Sequence, residues 1–160
     1  LHKRMALKMI LAAGSSGMKL IGGFMLVAAL ISMFVMNTST TLMLLPIGLA
    51  VCSVVATTIP GLNDQDKKFF DTALMLGIAY AATIGGMSTL VGTAPNIVCS
   101  AFILETYGVE RSMIDWMTLG VPLAAVMLFS AWIILTKYVF PISFITSNDT
   151  KEHLHRMLDD

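Results

Sequence analysis

Charged residues are scarce in this sequence, and three long stretches contain none. Asp, Glu, Lys and Arg together make up 12% of the chain, against roughly 25% in an ordinary soluble domain. The uncharged stretches cover residues 20–63, 72–104 and 116–136, and each reaches or exceeds the roughly 20 residues that a helix needs to cross a bilayer. The scarcity of charge argues against a soluble domain and predicts an all-α membrane protein in contact with the lipid bilayer.

Acidic, basic and histidine side chains are missing from the same stretches, which restricts the mechanism. They hold no Asp, Glu, Lys, Arg or His, so a proton relay through membrane carboxylates or histidines cannot lie in them. Cys52 and Cys99 fall in apolar surroundings, and two isolated thiols match neither a disulfide framework nor a zinc pattern. The formal net charge is +0, so no nucleic-acid partner is expected. The sequence also lacks a paired nucleophile and base, and an enzyme is not expected.

The few basic residues indicate how the chain crosses the membrane. Those expected on one side are Lys3, Arg4, Lys8, Lys19, Lys67, Lys68, Lys137, Lys151 and Arg156. If the first stretch enters the membrane and returns, and the next two cross once each, all of these residues are cytoplasmic, as the positive-inside bias requires. We therefore expect a multi-pass integral protein of the plasma or inner membrane, with a cytoplasmic start and a cytoplasmic C-terminal tail.

The chain divides into a predicted membrane repeat at 1–140 and a polar tail. The expected segments are an interfacial helix at 1–13, a hairpin at 18–57, a broken helix at 66–106, a transmembrane helix at 113–140 and a cytoplasmic linker at 141–160. The first segment mixes Lys and Arg with Met, Leu and Ile, which suits a helix lying on a membrane surface. Ser112 and Asp115 predict a capping box where the transmembrane helix begins.

A polar island at residues 37–41 interrupts the first uncharged stretch. The stretch is too long for one span but fits two helical limbs, the second of which contains Pro46. Either both limbs cross fully and the island is an outer loop, or the hairpin is re-entrant and its tip stops inside the protein. We favour the re-entrant form because the island lacks the Trp, Tyr, Lys or Arg anchors typical of a membrane boundary.

A second polar island at residues 92–96 interrupts the next stretch. Residues 72–104 would span about 50 Å as one continuous helix, well beyond the roughly 30 Å of hydrocarbon. Gly92 and Pro95 supply a break, because Gly tolerates unusual dihedral angles and Pro fits the first turn of a following helix. We expect a helix to about Gly85, an unwound segment near 92–95, and a half-helix to about Thr106.

The two islands offer hydroxyls, amides, backbone carbonyls and helix ends. Carbonyl oxygens and the Asn37 side chain suit a hard cation such as sodium. Free amides where the following helices begin favour an anion. Irregular backbone at membrane depth is where carriers bind substrates and coupling ions, so the pattern predicts coupled symport. The alternative is that these residues only form hydrogen bonds between packed helices.

Both islands lie within longer motifs that resemble the divalent anion/sodium symporter family of dicarboxylate, citrate and sulfate carriers. Met36 followed by residues 37–47 (NTSTTLMLLPI) is similar to the family's Ser-Asn-Thr hairpin tip. Residues 78–96 (IAYAATIGGMSTLVGTAPN) are similar to its broken-helix motif. The resemblance extends over most of residues 1–140 and covers the N-terminal repeat alone.

The resemblance implies one half of an inverted-repeat transporter that moves by an elevator mechanism and forms homodimers. It further implies sodium as the coupling ion, a small anionic substrate, and a second half of the site in a C-terminal repeat outside this chain. The implied substrate-binding residues are Asn37, Thr38 and Thr93. The implied sodium-binding residues are Ser32, Met36, Asn37 and Gly92, with no metal other than sodium. Met36 stands where the family usually has Ser, so a hydroxyl is lost while the backbone carbonyl remains.

The leading hypothesis is therefore sodium-coupled symport of di- or tricarboxylate anions, with this chain forming half of the site. A related anion permease of sulfate or arsenite type, without sodium coupling, is the transport alternative. A non-transporting membrane scaffold is the alternative from another class. Absence of sodium dependence would favour the permease, and Asn37→Ala and Thr38→Ala variants that alter stability alone would favour the scaffold.

Overall fold

The computed structural model describes residues 16–58 and 63–142, which are predominantly helical. The helices are α1 (Gly17–Ser32), α2 (Asn37–Thr58), α3 (Asp64–Met87), α4 (Ala94–Tyr107) and α5 (Met113–Ile133), and a π-helical segment (Ile134–Val139) continues α5. The helices long and apolar enough to cross a membrane are Asn37–Thr57, Asp64–Met87 and Met113–Val139. The expected interfacial helix at 1–13 and nearly all of the linker at 141–160 lie outside the described residues.

The first helix runs parallel to α3 and forms most of the core with it. Met25 packs against Gly77, where an added Cβ would lie 3.1 Å from the Met25 Cγ. Four residues further along α1 and eight further along α3, the backbone of Ala29 lies against Gly85, where a Cβ would be 2.6 Å from the Ala29 Cα. Side chains fully buried in the core around this pair include Phe24, Phe70, Leu74 and Ile78. The close approach brings the C-terminal ends of α1 and α3 to the same level.

The second helix returns antiparallel to α3. Its first residue, Asn37, contacts Gly86 near the end of α3, whereas Gly48 faces Met75 and Ile78 in the middle of that helix. Pro46 lies inside α2 without ending it. The start of α2 therefore lies beside the end of α3, at the level where α1 ends.

Hydrogen bonds from two tryptophans help to attach the fifth helix. The indole Nε1–H of Trp116 donates to the Met87 carbonyl at 3.2 Å, and that of Trp132 donates to the Met18 carbonyl at 2.9 Å. Among the described residues, only 6% of the most apolar 18-residue part of the span Met113–Val139 is buried. Its outer face is therefore available to lipid or to other protein.

Both interruptions lie at residues different from those expected from the sequence. The hairpin's non-helical residues are the apolar 33–36, and the polar residues 37–41 already belong to α2. The Met36 carbonyl accepts from the Thr40 N–H at 3.0 Å, which closes the first turn. In the broken helix, the non-helical residues are 88–93 instead of 92–95, because Pro95 fits the first turn of α4.

The expected capping box at the start of α5 is confirmed. Ser112 accepts a hydrogen bond from the Asp115 N–H, and the Asp115 carboxylate accepts from the Ser112 N–H. At the other end of the preceding connection, α4 stops at Gly108, whose φ of 66° is left-handed. Both signals are local, and both bound the connection between α4 and α5.

Candidate functional site

The tip turn, residues 33–36, joins α1 to α2 and is held by its flanking side chains. Ser32 is buried, and its hydroxyl donates to Oδ1 of Asn37 at 2.8 Å. The Val35 N–H donates to the Ile31 carbonyl at 3.0 Å, which continues α1 by part of a turn. Two side-chain oxygens, the Ser32 Oγ and the Asn37 Oδ1, therefore lie together beside the end of α1.

The break, residues 88–93, joins α3 to α4 and is held by buried polar side chains. The Gly92 N–H donates to the Thr89 Oγ1 at 3.0 Å. The side-chain amide of Asn96, which is 8% exposed, donates to the carbonyls of Gly86 at 3.0 Å and Thr89 at 2.7 Å. Asn96 therefore ties the first turn of α4 to the end of α3 across the break.

The tip turn and the break touch each other. The Thr89 hydroxyl donates to the Met33 carbonyl in the tip turn. Gly86 lies against the Asn37 side chain, and a Cβ at Gly86 would be 3.1 Å from the Asn37 Cγ. Gly92 in turn lies against the Gly86 backbone, where a Cβ would be 2.9 Å from the Gly86 Cα. One continuous set of contacts therefore connects Ser32, Asn37, Gly86 and Gly92.

The residues expected to form the site divide into two groups. Ser32, Asn37 and Gly92 belong to the connected set described above. Met36 extends its side chain outward, with 64% exposed, and Thr38 is also exposed. Thr93 is half-buried beside Gly92, and its side chain does not cap α4. The structure therefore brings three of the expected residues together and leaves Met36 and Thr38 on the open side of the tip.

Sequence reasoning missed three residues of this network as site residues: Gly86, Thr89 and Asn96. All three lie in the quoted 78–96 motif. Gly86 lies against the Asn37 side chain itself. The available signal was the presence of Thr89 and Asn96 in an uncharged stretch, because polar groups buried in a membrane need hydrogen-bond partners. The pairing of Thr89 with Met33, 56 residues away, had no local signal.

Four helix ends converge at the tip turn and the break. The carbonyl ends of α1 and α3 carry partial negative charge, and the amide ends of α2 and α4 carry partial positive charge. No Asp, Glu, Lys, Arg or His lies within residues 20–63 or 72–104, so these dipoles and the neutral oxygens set the local field. Such an arrangement suits a cation of moderate charge next to an anion.

The chain is similar to known carriers along nearly its full length. The model of the citrate transporter family matches residues 1–153. A protein named sodium-dependent dicarboxylate transporter SdcS from Staphylococcus saprophyticus is 38% identical over 141 residues, which is 88% of this chain and 27% of that protein. The protein of the same name from Staphylococcus aureus strain USA300 is 37% identical over the same shares. This chain therefore spans about a quarter of the length of the curated relatives it matches.

Proposed function

This chain belongs to the citrate transporter family, and from that premise we propose that it supplies half of the site of a sodium-coupled symporter for di- or tricarboxylates. The match bears out the family that the two motifs indicated. Its relatives carry names that state sodium dependence and dicarboxylate transport. The observation that supports the proposal is that four helix ends converge at the tip turn and the break, neither of which contains a charged residue.

The proposed sodium site lies at the carbonyl ends of α1 and α3. Its side-chain ligands are Ser32 and Asn37, whose oxygens are 2.8 Å apart, and Gly92 contributes its backbone. Met36 contributes its carbonyl oxygen, which accepts one hydrogen bond from Thr40 and retains a second lone pair. A set of neutral oxygens suits a monovalent hard cation, since it offers ligation without a carboxylate.

The proposed anion site lies at the amide ends of α2 and α4. Asn37, Thr38 and Thr93 are at or beside these ends, and the Thr93 hydroxyl does not cap its helix. A substrate carboxylate there accepts hydrogen bonds from hydroxyls and free amides. The other carboxylate faces residues beyond this chain, which we assign to a second repeat.

Coupling follows from the closeness of the two proposed sites. Without a cation, the tip and the break present no full positive charge to a dicarboxylate. Sodium bound between Ser32 and Asn37 adds that charge beside the carboxylate position, and low-dielectric surroundings strengthen the attraction. Linkage then requires the anion to tighten sodium binding by the same factor. Asn37 takes part in both proposed sites and joins them directly.

The hairpin is proposed to be re-entrant. The first helix has 16 residues, or about 24 Å of length, which falls short of the roughly 30 Å hydrocarbon core. The tip turn also lies against the break, so its backbone is in contact with protein. We propose that the repeat is completed by an inverted counterpart and that the carrier is a homodimer in the plasma membrane, with both ends of this chain cytoplasmic.

The test is uptake of radiolabelled succinate into proteoliposomes by the complete carrier, meaning this chain together with the further sequence that its relatives possess. Uptake is expected to require an inward sodium gradient and to be lost in Asn37→Ala. The matched control is Asn63→Ala, because Asn63 is exposed and its side chain does not cap α3. Uptake by this control is expected to equal that of the parent.

The other outcomes distinguish the alternatives. Uptake that does not depend on sodium favours the related permease. If citrate and sulfate also fail to enter, and Asn37→Ala changes stability alone, the scaffold hypothesis replaces transport.

A further inference from the structure

We propose that Thr89 is a positioning residue that sets the sodium affinity of the site without binding the ion. The inference rests on the proposed function and extends it to a residue outside the sodium-binding and substrate-binding sets. Its hydroxyl connects the tip turn to the break, and the proposed sodium ligands lie in these two segments or directly beside them.

The geometry of Thr89 is that of a buried connector. The residue is 0% exposed. Its hydroxyl donates to the Met33 carbonyl and accepts from the Gly92 N–H at 3.0 Å. Within residues 16–58 and 63–142, it makes the one side-chain hydrogen bond that joins the tip turn to the break.

The backbone of Thr89 is anchored as well. Its carbonyl accepts from the Asn96 side chain at 2.7 Å, and the same amide group also donates to the Gly86 carbonyl. Gly86 lies against Asn37. Thr89 is therefore fixed to α4 through its main chain and to the tip turn through its side chain, so it cannot move without moving one of them.

The hydroxyl of Thr89 acts through its neighbours. Its proton is directed at Met33 and one lone pair at Gly92, so it orients the backbone on either side of the proposed ion. Affinity for a cation depends on how closely the ligands are held in the bound geometry before binding. Loss of this hydroxyl is expected to leave the positions of Ser32 and Gly92 relative to each other less tightly fixed, and so to weaken sodium binding.

The test compares a graded series at this position in the complete carrier. Thr89→Ser keeps the hydroxyl, Thr89→Cys replaces it with a weaker donor, and Thr89→Val removes it at nearly constant volume. Succinate uptake is measured as a function of sodium concentration, with monodispersity on gel filtration as the check on folding. The matched control is Thr136→Val, because Thr136 is equally buried and its hydroxyl bonds the Trp132 carbonyl within its own helical segment.

The half-saturating sodium concentration is expected to rise about fivefold in Thr89→Val, which corresponds to about 1 kcal/mol of binding free energy. Thr89→Ser is expected to stay within about twofold of the parent and Thr89→Cys to fall between them. The maximal rate at saturating sodium is expected to change less than the half-saturating concentration. If Thr89→Val does not fold, Thr89→Cys carries the comparison.

Two results at position 89 overturn the inference alone: an unchanged half-saturating sodium concentration in Thr89→Val, or a Thr89→Ser variant as impaired as Thr89→Val. A matching rise in Thr136→Val overturns it as well, because the effect would then belong to any buried threonine. Uptake by the parent that does not depend on sodium overturns the proposed function and this inference together.

Discussion

The Ser32 hydroxyl donates to Oδ1 of Asn37 across the tip turn, over a distance of 2.8 Å. Ser32 is the last residue of α1 and Asn37 is the first of α2, so a carbonyl helix end and an amide helix end meet at this hydrogen bond. A cation that enters between the two oxygens rotates the hydroxyl proton away and leaves both oxygens as acceptors. The hydrogen bond therefore holds two proposed ligands at a distance suited to an ion while no ion is bound.

Sodium is expected to stabilise this protein against unfolding, and Ser32→Ala is expected to reduce that effect. A ligand that binds the folded state alone stabilises it by about 2.7 kcal/mol at a hundred times its Kd. The measurement is the thermal unfolding midpoint of the purified protein in sodium chloride against potassium chloride at equal ionic strength. Ser130→Ala is the control, because that hydroxyl is exposed and bonds its own helix at Val126. An equal sodium shift in Ser32→Ala and the parent would remove Ser32 from the ion site.

Gly86→Ala is expected to impair sodium-dependent uptake more than it impairs folding. A Cβ at Gly86 would meet the Asn37 side chain, while Gly23 has open space around it. Asn37 can turn away from the new methyl group, so the fold survives while the hydrogen bond to Ser32 is lost. Gly23→Ala is the matched control and is expected to stabilise α1 by up to about 1 kcal/mol.

Uptake and unfolding midpoint are measured together for the two glycine variants. The expected pattern is a normal midpoint with a severalfold weaker sodium response in Gly86→Ala, and a normal sodium response with a normal or raised midpoint in Gly23→Ala. A Gly86→Ala protein with parental sodium response would show that the Asn37 side chain tolerates displacement, and so that its orientation does not set affinity.

Asn96→Ala is expected to destabilise the break. The substitution leaves the carbonyls of Gly86 and Thr89 without the donor they share. An orphaned buried polar group costs about 1–3 kcal/mol, so a loss of about 2 kcal/mol in the free energy of unfolding is expected. Denaturation by SDS in mixed micelles measures it, with the exposed Asn63→Ala as control. Equal midpoints for the two variants would mean that water or a backbone rearrangement replaces the Asn96 amide.

Ser112→Ala is expected to weaken the start of α5 by about 1 kcal/mol, as is typical for a lost N-cap. The variant loses the bond from the Asp115 N–H to Ser112 at 3.2 Å and the bond from the Ser112 hydroxyl to the Asp115 carboxylate at 2.7 Å. Thr118→Ala is the control, since that hydroxyl is exposed and bonds the Ile114 carbonyl in its own helix. Hydrogen exchange at the first turn of α5 is expected to rise in Ser112→Ala and to stay parental in Thr118→Ala.

Features written in a few adjacent residues were predictable from the sequence. The all-α membrane class followed from the uncharged stretches, and the capping box followed from Ser112 and Asp115. Interruption of both long stretches was also predictable, but their limits were not. The polar residues 37–41 were expected to form the irregular tip, yet they form the start of α2, because the Met36 carbonyl accepts from the Thr40 N–H.

Contacts between distant segments were not predictable in the same way. The parallel packing of α1 on α3 depends on the match between Gly77 and Met25 and between Gly85 and Ala29, and a single sequence does not state which helices meet. The bond from Thr89 to Met33 depends in turn on that packing. The site residues implied by resemblance, including Thr38, Thr93 and Met36, stay predictions that the proposed transport assays test.

The two tryptophan hydrogen bonds give this protein a pair of built-in optical reporters. Its two tryptophans, Trp116 and Trp132, are bound to carbonyls at opposite ends of the bundle, beside the break at Met87 and beside the first helix at Met18. Indole emission responds to changes in its hydrogen bonding and solvent contact. Replacing one tryptophan with phenylalanine leaves a single fluorophore that follows motion at one end, so ion-induced changes near the break can be separated from those at the opposite end without attaching a dye.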